Sequence, residues 1–172
     1  MNLLLIGYRG TGKSAVARLV AERLGWRWLD ADVELERRAG KSIAAIFADD
    51  GEPMFRDLES EMLAELVRLD RHVLALGGGV VLRPENRALI KQAGSVVWLT
   101  ADPETIQARV QSDPTTSARR PNLTRSGGLD EVRQLLAQRE PFYRECAGAV
   151  VDTSGRSVAE VAEAVVESFR VR

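Results

Sequence analysis

Asn2-Leu3-Leu4-Leu5-Ile6 runs without a break into Gly7-Tyr8-Arg9-Gly10-Thr11-Gly12-Lys13-Ser14, and on these two stretches the reading of the whole chain turns. A short apolar run reads as a strand buried on both faces. The octapeptide satisfies G-x-x-x-x-G-K-[ST], and beyond it Val16, Leu19, Val20 and Leu24 form one apolar helical stripe. Strand, glycine-rich turn and helix are the context in which such a turn cradles phosphate. Its glycines let backbone N–H groups point inward, and the helix start adds partial positive charge. Gly10, Thr11, Gly12, Lys13, Ser14 and Ala15 are therefore the expected nucleotide-binding set. Lys13 would bridge the outer phosphates and the Ser14 hydroxyl would ligate Mg²⁺. The competing reading, a glycine-rich turn that binds nothing, is opposed by the flanking strand and helix.

Outward from the loop, apolar runs alternate with amphipathic patterns. Strands are expected at Leu3 to Ile6, Arg27 to Leu29, His72 to Leu76, Ser95 to Leu99 and Ala149 to Val151. Val158, Val161, Ala162, Val165, Val166 and Phe169 mark a closing helix at i, i+3, i+4, i+7 spacing. This rhythm predicts an α/β fold, a three-layer α/β/α arrangement with a five-stranded parallel sheet of the P-loop kinase type, as a single domain over 1–172. Pro84 and Pro103 suit first helical turns, while Gly25, Gly40, Gly51 and Gly94 suit helix ends. One stretch breaks the rhythm. Gln111 to Gly128 is polar, carries Arg119, Arg120 and Arg125, and reads as a lid.

Composition sets limits. The 172 residues carry 24 Lys+Arg against 25 Asp+Glu, a formal charge of -1, so no net field draws the chain to nucleic acid or membrane. Only Lys13, Lys41 and Lys91 are lysines, which leaves 21 arginines and makes an arginine cluster cheap evidence. Cys146 stands alone, so neither an internal disulfide nor a cysteine zinc site is available, which suits a reducing cytoplasm. The apolar start lacks a basic leader and is too short for a signal core, and a cytoplasmic monomer is expected.

Asp30-Ala31-Asp32 falls where the second strand runs out, the edge at which ligands of open α/β sheets gather. One carboxylate could hold magnesium through water and the other accept a substrate hydroxyl; equally, the pair could be a helix N-cap. Gly77-Gly78-Gly79 after the third strand would let a ligand meet bare backbone, or be a flexible turn. Arg56 and Arg139 could line the same cleft or lie on the surface.

In order and spacing, these elements resemble the shikimate kinase family over nearly the whole chain: Gly7 to Ser14, Asp30 and Asp32, Phe55-Arg56 with Glu59, Gly77 to Gly79, and Arg120-Pro121 before Arg139. The resemblance implies an ATP-dependent transfer to a small anionic hydroxy acid, with acceptor-binding helices over about 32–70. It implies that Asp32 grips acceptor hydroxyls, that Arg56 and Arg139 clamp the carboxylate, and that Gly77, Gly78 and Gly79 offer backbone to the same acceptor. Asp30 would steady magnesium through water, Arg120 would fold over the transferring phosphate, and Arg109 and Arg156 would flank adenine. Lys13, Asp32 and Arg120 would be catalytic. The chain departs from the family where Asn122-Leu123-Thr124 follows the lid Arg-Pro and where Arg119 doubles the lid arginine. No histidine or cysteine is placed to act as a nucleophile, which points to direct transfer. Rival acceptors are gluconate or a nucleotide; a GTP switch is opposed by the lack of an Asn-Lys-x-Asp stretch.

Overall fold

The computed structural model describes residues 1–113 and 127–170. Five strands, β1 (Asn2–Ile6), β2 (Arg27–Asp30), β3 (His72–Ala75), β4 (Gly94–Thr100) and β5 (Ala149–Asp152), alternate with helices. These are α1 (Lys13–Leu24), α2 (Ala31–Ala39), α3 (Ile43–Leu66), α4 (Pro84–Ala93), α5 (Pro103–Ser112), α6 (Gly128–Cys146) and α7 (Val158–Arg170). The strands pair in the order β2-β3-β1-β4-β5, every pair parallel. The expected three-layer architecture is the one observed.

β1 occupies the middle of the sheet, and alternation along it feeds two cores. Leu3 and Leu5 pack with α1 and α7 residues such as Val16, Val20, Val161 and Val165. Leu4 and Ile6 pack on the other face with Leu63, Ile90, Trp98 and Tyr143. All four strand residues are fully buried, and each such side chain contributes about 1.5–3 kcal/mol. The loop that follows must therefore emerge at the centre of the carboxyl edge, the place where α/β sheets bind ligands.

The helix ends follow sequence chemistry. Gly25 and Gly40 end α1 and α2 in the left-handed conformation, as expected. Gly51 ends the first limb of α3 in a kink at φ 81, ψ 170, and Pro53 starts the second limb where a first turn tolerates it. Gly94 ends α4 as expected and also opens β4, where a side chain would collide with the Asn2 backbone. His72 opens β3 with Nδ1 2.7 Å from the Asp70 carbonyl, and Cys146 is buried in the core; both keep the structural roles their settings suggest. Among the described residues no helix is long and apolar enough to cross a membrane.

Candidate active site

The phosphate-loop segment turns as its glycines allow. Gly10 and Gly12 take φ 80 and 87, and Gly12 precedes α1 with no side chain capping the helix, so the first-turn N–H groups face the loop. Thr11 Oγ1 donates to the Tyr8 carbonyl at 2.8 Å, bracing the turn from within. Lys13 Nζ donates to the carbonyls of Gly7 at 2.8 Å and Tyr8 at 2.9 Å, which folds the ammonium back over the loop.

Asp30 caps a helix, one of the readings its sequence left open, and also reaches the phosphate loop. Its Oδ1 accepts from the backbone N–H of Asp32 at 2.9 Å and Val33 at 3.2 Å, capping α2. Its Oδ2 accepts the Ser14 hydroxyl, so the strand-end carboxylate and the loop serine meet. Lys13, Ser14, Asp30, Asp32, Gly78 and Arg109 line one cavity of about 550 Å³. Ser14 and Asp30 supply hard oxygens of the kind magnesium prefers, and among the described residues no cluster of three or more His, Cys, Asp or Glu forms a cage of its own. Such a donor set fits Mg²⁺ held jointly with phosphate oxygens and water.

A chain of contacts joins this cavity to the other expected residues. A β-carbon on Gly78 would sit 3.4 Å from the Arg9 nitrogen and the Gly7 carbonyl, so the triple-glycine turn packs on the phosphate loop. Tyr143 on α6, fully buried, donates its hydroxyl to the Gly78 carbonyl at 2.5 Å. One turn earlier on the same helix, Arg139 is buried with its guanidinium 5.6 Å from the Tyr8 ring centroid. Arg56 lies against Gly79 and pairs with Glu59 at 2.6 Å and Glu52 at 3.1 Å. Beyond the glycines, Asn86 Nδ2 donates to the Val80 carbonyl at 3.0 Å and Arg87 to Val81 and Leu82, which fixes the turn from α4.

The two arginines expected beside adenine separate. Arg109 lines the cavity and donates to Gly10 O at 3.3 Å, Thr153 Oγ1 at 2.8 Å and Thr153 O at 2.8 Å. Arg156 is exposed, turns to the carbonyls of Asp152 and Glu160, and is not among the cavity-lining residues. The expected lid reaches into helices at both ends, since Gln111 and Ser112 finish α5 and Gly128 begins α6. Arg119, Arg120 and Arg125 lie outside the described residues.

Two ionisable groups shape the surroundings. Burial pushes the Tyr8 phenol up, opposed by the nearby charges of Arg9 and Arg139. Asp102, the N-cap of α5, is held at about 2 by the Thr105 N–H and hydroxyl and by Ser154. Sequence reasoning missed Arg9, Glu131 and Tyr143 as site residues. Only Tyr143 carried a usable signal, four residues after Arg139 and thus on the same helix face.

Comparison with known proteins agrees with this geometry. The family model described as shikimate kinase matches residues 9–170. The shikimate kinase of Rhodopirellula baltica is 46% identical over 97% of this chain and 89% of that protein. That of Symbiobacterium thermophilum is 42% identical over 100% of this chain and 98% of that protein. Among solved structures, shikimate kinase from Acinetobacter baumannii in complex with shikimate superposes with a TM-score of 0.93 at 36% identity, covering 99% of this chain and 93% of the other. A gluconokinase from Sinorhizobium meliloti covers 99% of this chain and 91% of its own with a TM-score of 0.67 at 17% identity, a likeness of fold alone. A phosphate loop opening on a cavity that the acidic strand end also lines, in a chain matched along nearly its full length by such relatives, places the chain in the shikimate kinase family.

Proposed function

We propose that this chain transfers the γ-phosphoryl group of MgATP to the 3-hydroxyl of shikimate, giving shikimate 3-phosphate and ADP. The observation that carries the acceptor assignment is the run of contacts from Arg56 through Gly79 and Gly78 to the phosphate loop, with Arg139 over Tyr8 beside it. Two buried arginines next to a phosphate cradle suit an acceptor carrying a carboxylate, because guanidinium and carboxylate meet in paired, charge-assisted hydrogen bonds. The relative from Acinetobacter baumannii was solved with shikimate, and its likeness spans nearly the whole chain.

The reaction is an in-line displacement. The acceptor hydroxyl oxygen attacks the γ-phosphorus, the bond from that phosphorus to the β,γ-bridging oxygen breaks, and the hydroxyl proton passes to the Asp32 carboxylate. Lys13 moves from its backbone carbonyls onto the phosphate oxygens and offsets charge there. Bound magnesium supplies further positive charge to those oxygens. Ser14 would hold it directly, and Asp30 through water. Arg56 and Arg139 hold the acceptor carboxylate, and Asp32 orients its hydroxyls. Arg109 braces the loop at Gly10 and faces the nucleotide, while Arg120 would come over the transferring phosphate.

An acceptor panel tests the reading. With ATP and magnesium, shikimate should release ADP rapidly, while gluconate and nucleoside monophosphates should not exceed the rate without acceptor. Turnover with gluconate or a nucleotide in place of shikimate would overturn it.

A further inference from the structure

Glu131 stands in the first turn of α6, where an acidic side chain normally faces water and the helix dipole, yet it is fully buried. Its Oε1 accepts from Arg9 Nη2 at 2.8 Å, across 122 residues of sequence. Arg9 belongs to the phosphate loop, at a position that the loop's glycine pattern leaves unspecified. Both members of the pair are withdrawn from solvent, with side-chain exposures of 11% and 1%. Beside the pair stands Tyr8, with the Arg9 guanidinium 5.8 Å and that of Arg139 5.6 Å from its ring centroid.

A buried ion pair is a costly way to gain stability, since apolar residues of similar volume commonly serve as well or better. What an ion pair adds is direction and distance. Here it joins the loop that holds the phosphates to the helix that carries Arg139, and Arg139 lies eight residues, about two turns, further along the same rigid rod.

We propose that the Arg9–Glu131 pair is a positioning device that registers the phosphate loop against α6, setting the separation between the phosphoryl group and the acceptor held by Arg139. This rests on the kinase reading above. Arg9 also lines the phosphate cavity, and Glu131 acts through the guanidinium it holds. In-line transfer needs reacting atoms about 3–3.5 Å apart, and a misplacement of about 1 Å can cost about a hundredfold in rate. The pair should therefore govern kcat more than the binding of either substrate alone.

The test uses the full chain with Glu131→Gln, Arg9→Met and the apolar double variant Arg9→Met with Glu131→Leu. Parental turnover of shikimate is established first, so failure of the kinase reading shows itself as an inactive parent. The expected result is a kcat about 10–100-fold lower in Glu131→Gln, with dissociation constants for MgADP alone and for shikimate alone changed by less than about threefold. The double variant should regain thermal stability without regaining kcat. Recovery of parental kcat by the apolar pair would overturn the proposal and leave a purely structural role. So would a kcat loss in Glu131→Gln matched by an equal loss of binary affinity for one substrate, which would assign Glu131 to that substrate's site. Should Arg9→Met fail to fold, Glu131→Gln, which keeps the side-chain size but removes the charge that fixes the Arg9 guanidinium, carries the test.

Discussion

Arg56 lies over Gly79 so closely that a β-carbon there would come within 2.6 Å of the guanidinium carbon. The Gly79 backbone itself is ordinary, at φ -97 and ψ -3, so alanine costs nothing in conformation. The atoms in the way belong to the far end of a flexible side chain, which can move. The guanidinium would have to leave its place between Glu59 and Gly79, and on the proposed reading the acceptor carboxylate would lose its partner.

Gly79→Ala should therefore lower stability by about 1–3 kcal/mol, because the displaced guanidinium is paired with the buried Glu59, while raising the shikimate dissociation constant about tenfold, equivalent to about 1.4 kcal/mol. Calorimetric titration with shikimate, paired with a thermal melt, reads both. Unchanged shikimate affinity would remove Arg56 from the acceptor site.

Asp30 divides its two oxygens between a helix and the phosphate loop, and substitutions can separate the two duties. Asn caps helices about as well as Asp, so Asp30→Asn should keep the bonds to Asp32 and Val33 and hold stability within about 0.5 kcal/mol. Its amide is a poor partner for magnesium-bound water, so the variant should need several-fold more Mg²⁺ for half-maximal rate. Asp30→Ala should show the same shift and also lose about 1 kcal/mol with the cap. Urea unfolding and magnesium titration of the rate distinguish the pair.

Lys13 rests on two backbone carbonyls of its own loop. Lys13→Met should fold like the parent, with a melting temperature within a few degrees, yet lose at least about a thousandfold in kcat, or about 4 kcal/mol of transition-state stabilisation. Parental turnover by this variant would refute the assigned chemistry.

Much of the fold was legible because it rests on local pattern. Leu3 to Ile6 alternate between two cores, Val158 to Phe169 keep helical spacing, and the five strands fall where apolar runs stand. The phosphate loop was legible for the same reason: its glycines, Lys13 and Ser14 act within one turn. The fine structure of the cleft was not. Tyr143 reaches Gly78 across 65 residues and Glu131 reaches Arg9 across 122, and neither pairing leaves a mark at short range. With 21 arginines in the chain, residue type could not single out Arg9, nor tell the cavity-lining Arg109 from the surface Arg156. Gly51 and Gly94 were legible as helix ends, but not that the first leaves two helical limbs joined at a kink or that the second is crowded by the Asn2 backbone.

Cys146 closes α6 against the apolar core, and burial raises its thiol from an ordinary 9.0 to about 11, with the Glu145 carboxylate adding to the effect. The reactive species is the thiolate, so at pH 8 the folded protein should resist thiol reagents and label only as fast as it opens. The same shift sets a direction for stability. Because the folded thiol holds its proton more tightly than the unfolded one, this contribution is fully present below about pH 9 and is lost as pH rises towards about 11. Cys146→Ser, whose hydroxyl does not titrate there, should flatten that part of the stability profile, although its polar oxygen in an apolar site lowers stability throughout. Labelling with a chromogenic disulfide at pH 8, followed in native buffer and in urea, decides the first point. Complete modification of the native protein within minutes would show that the thiol is neither buried nor raised.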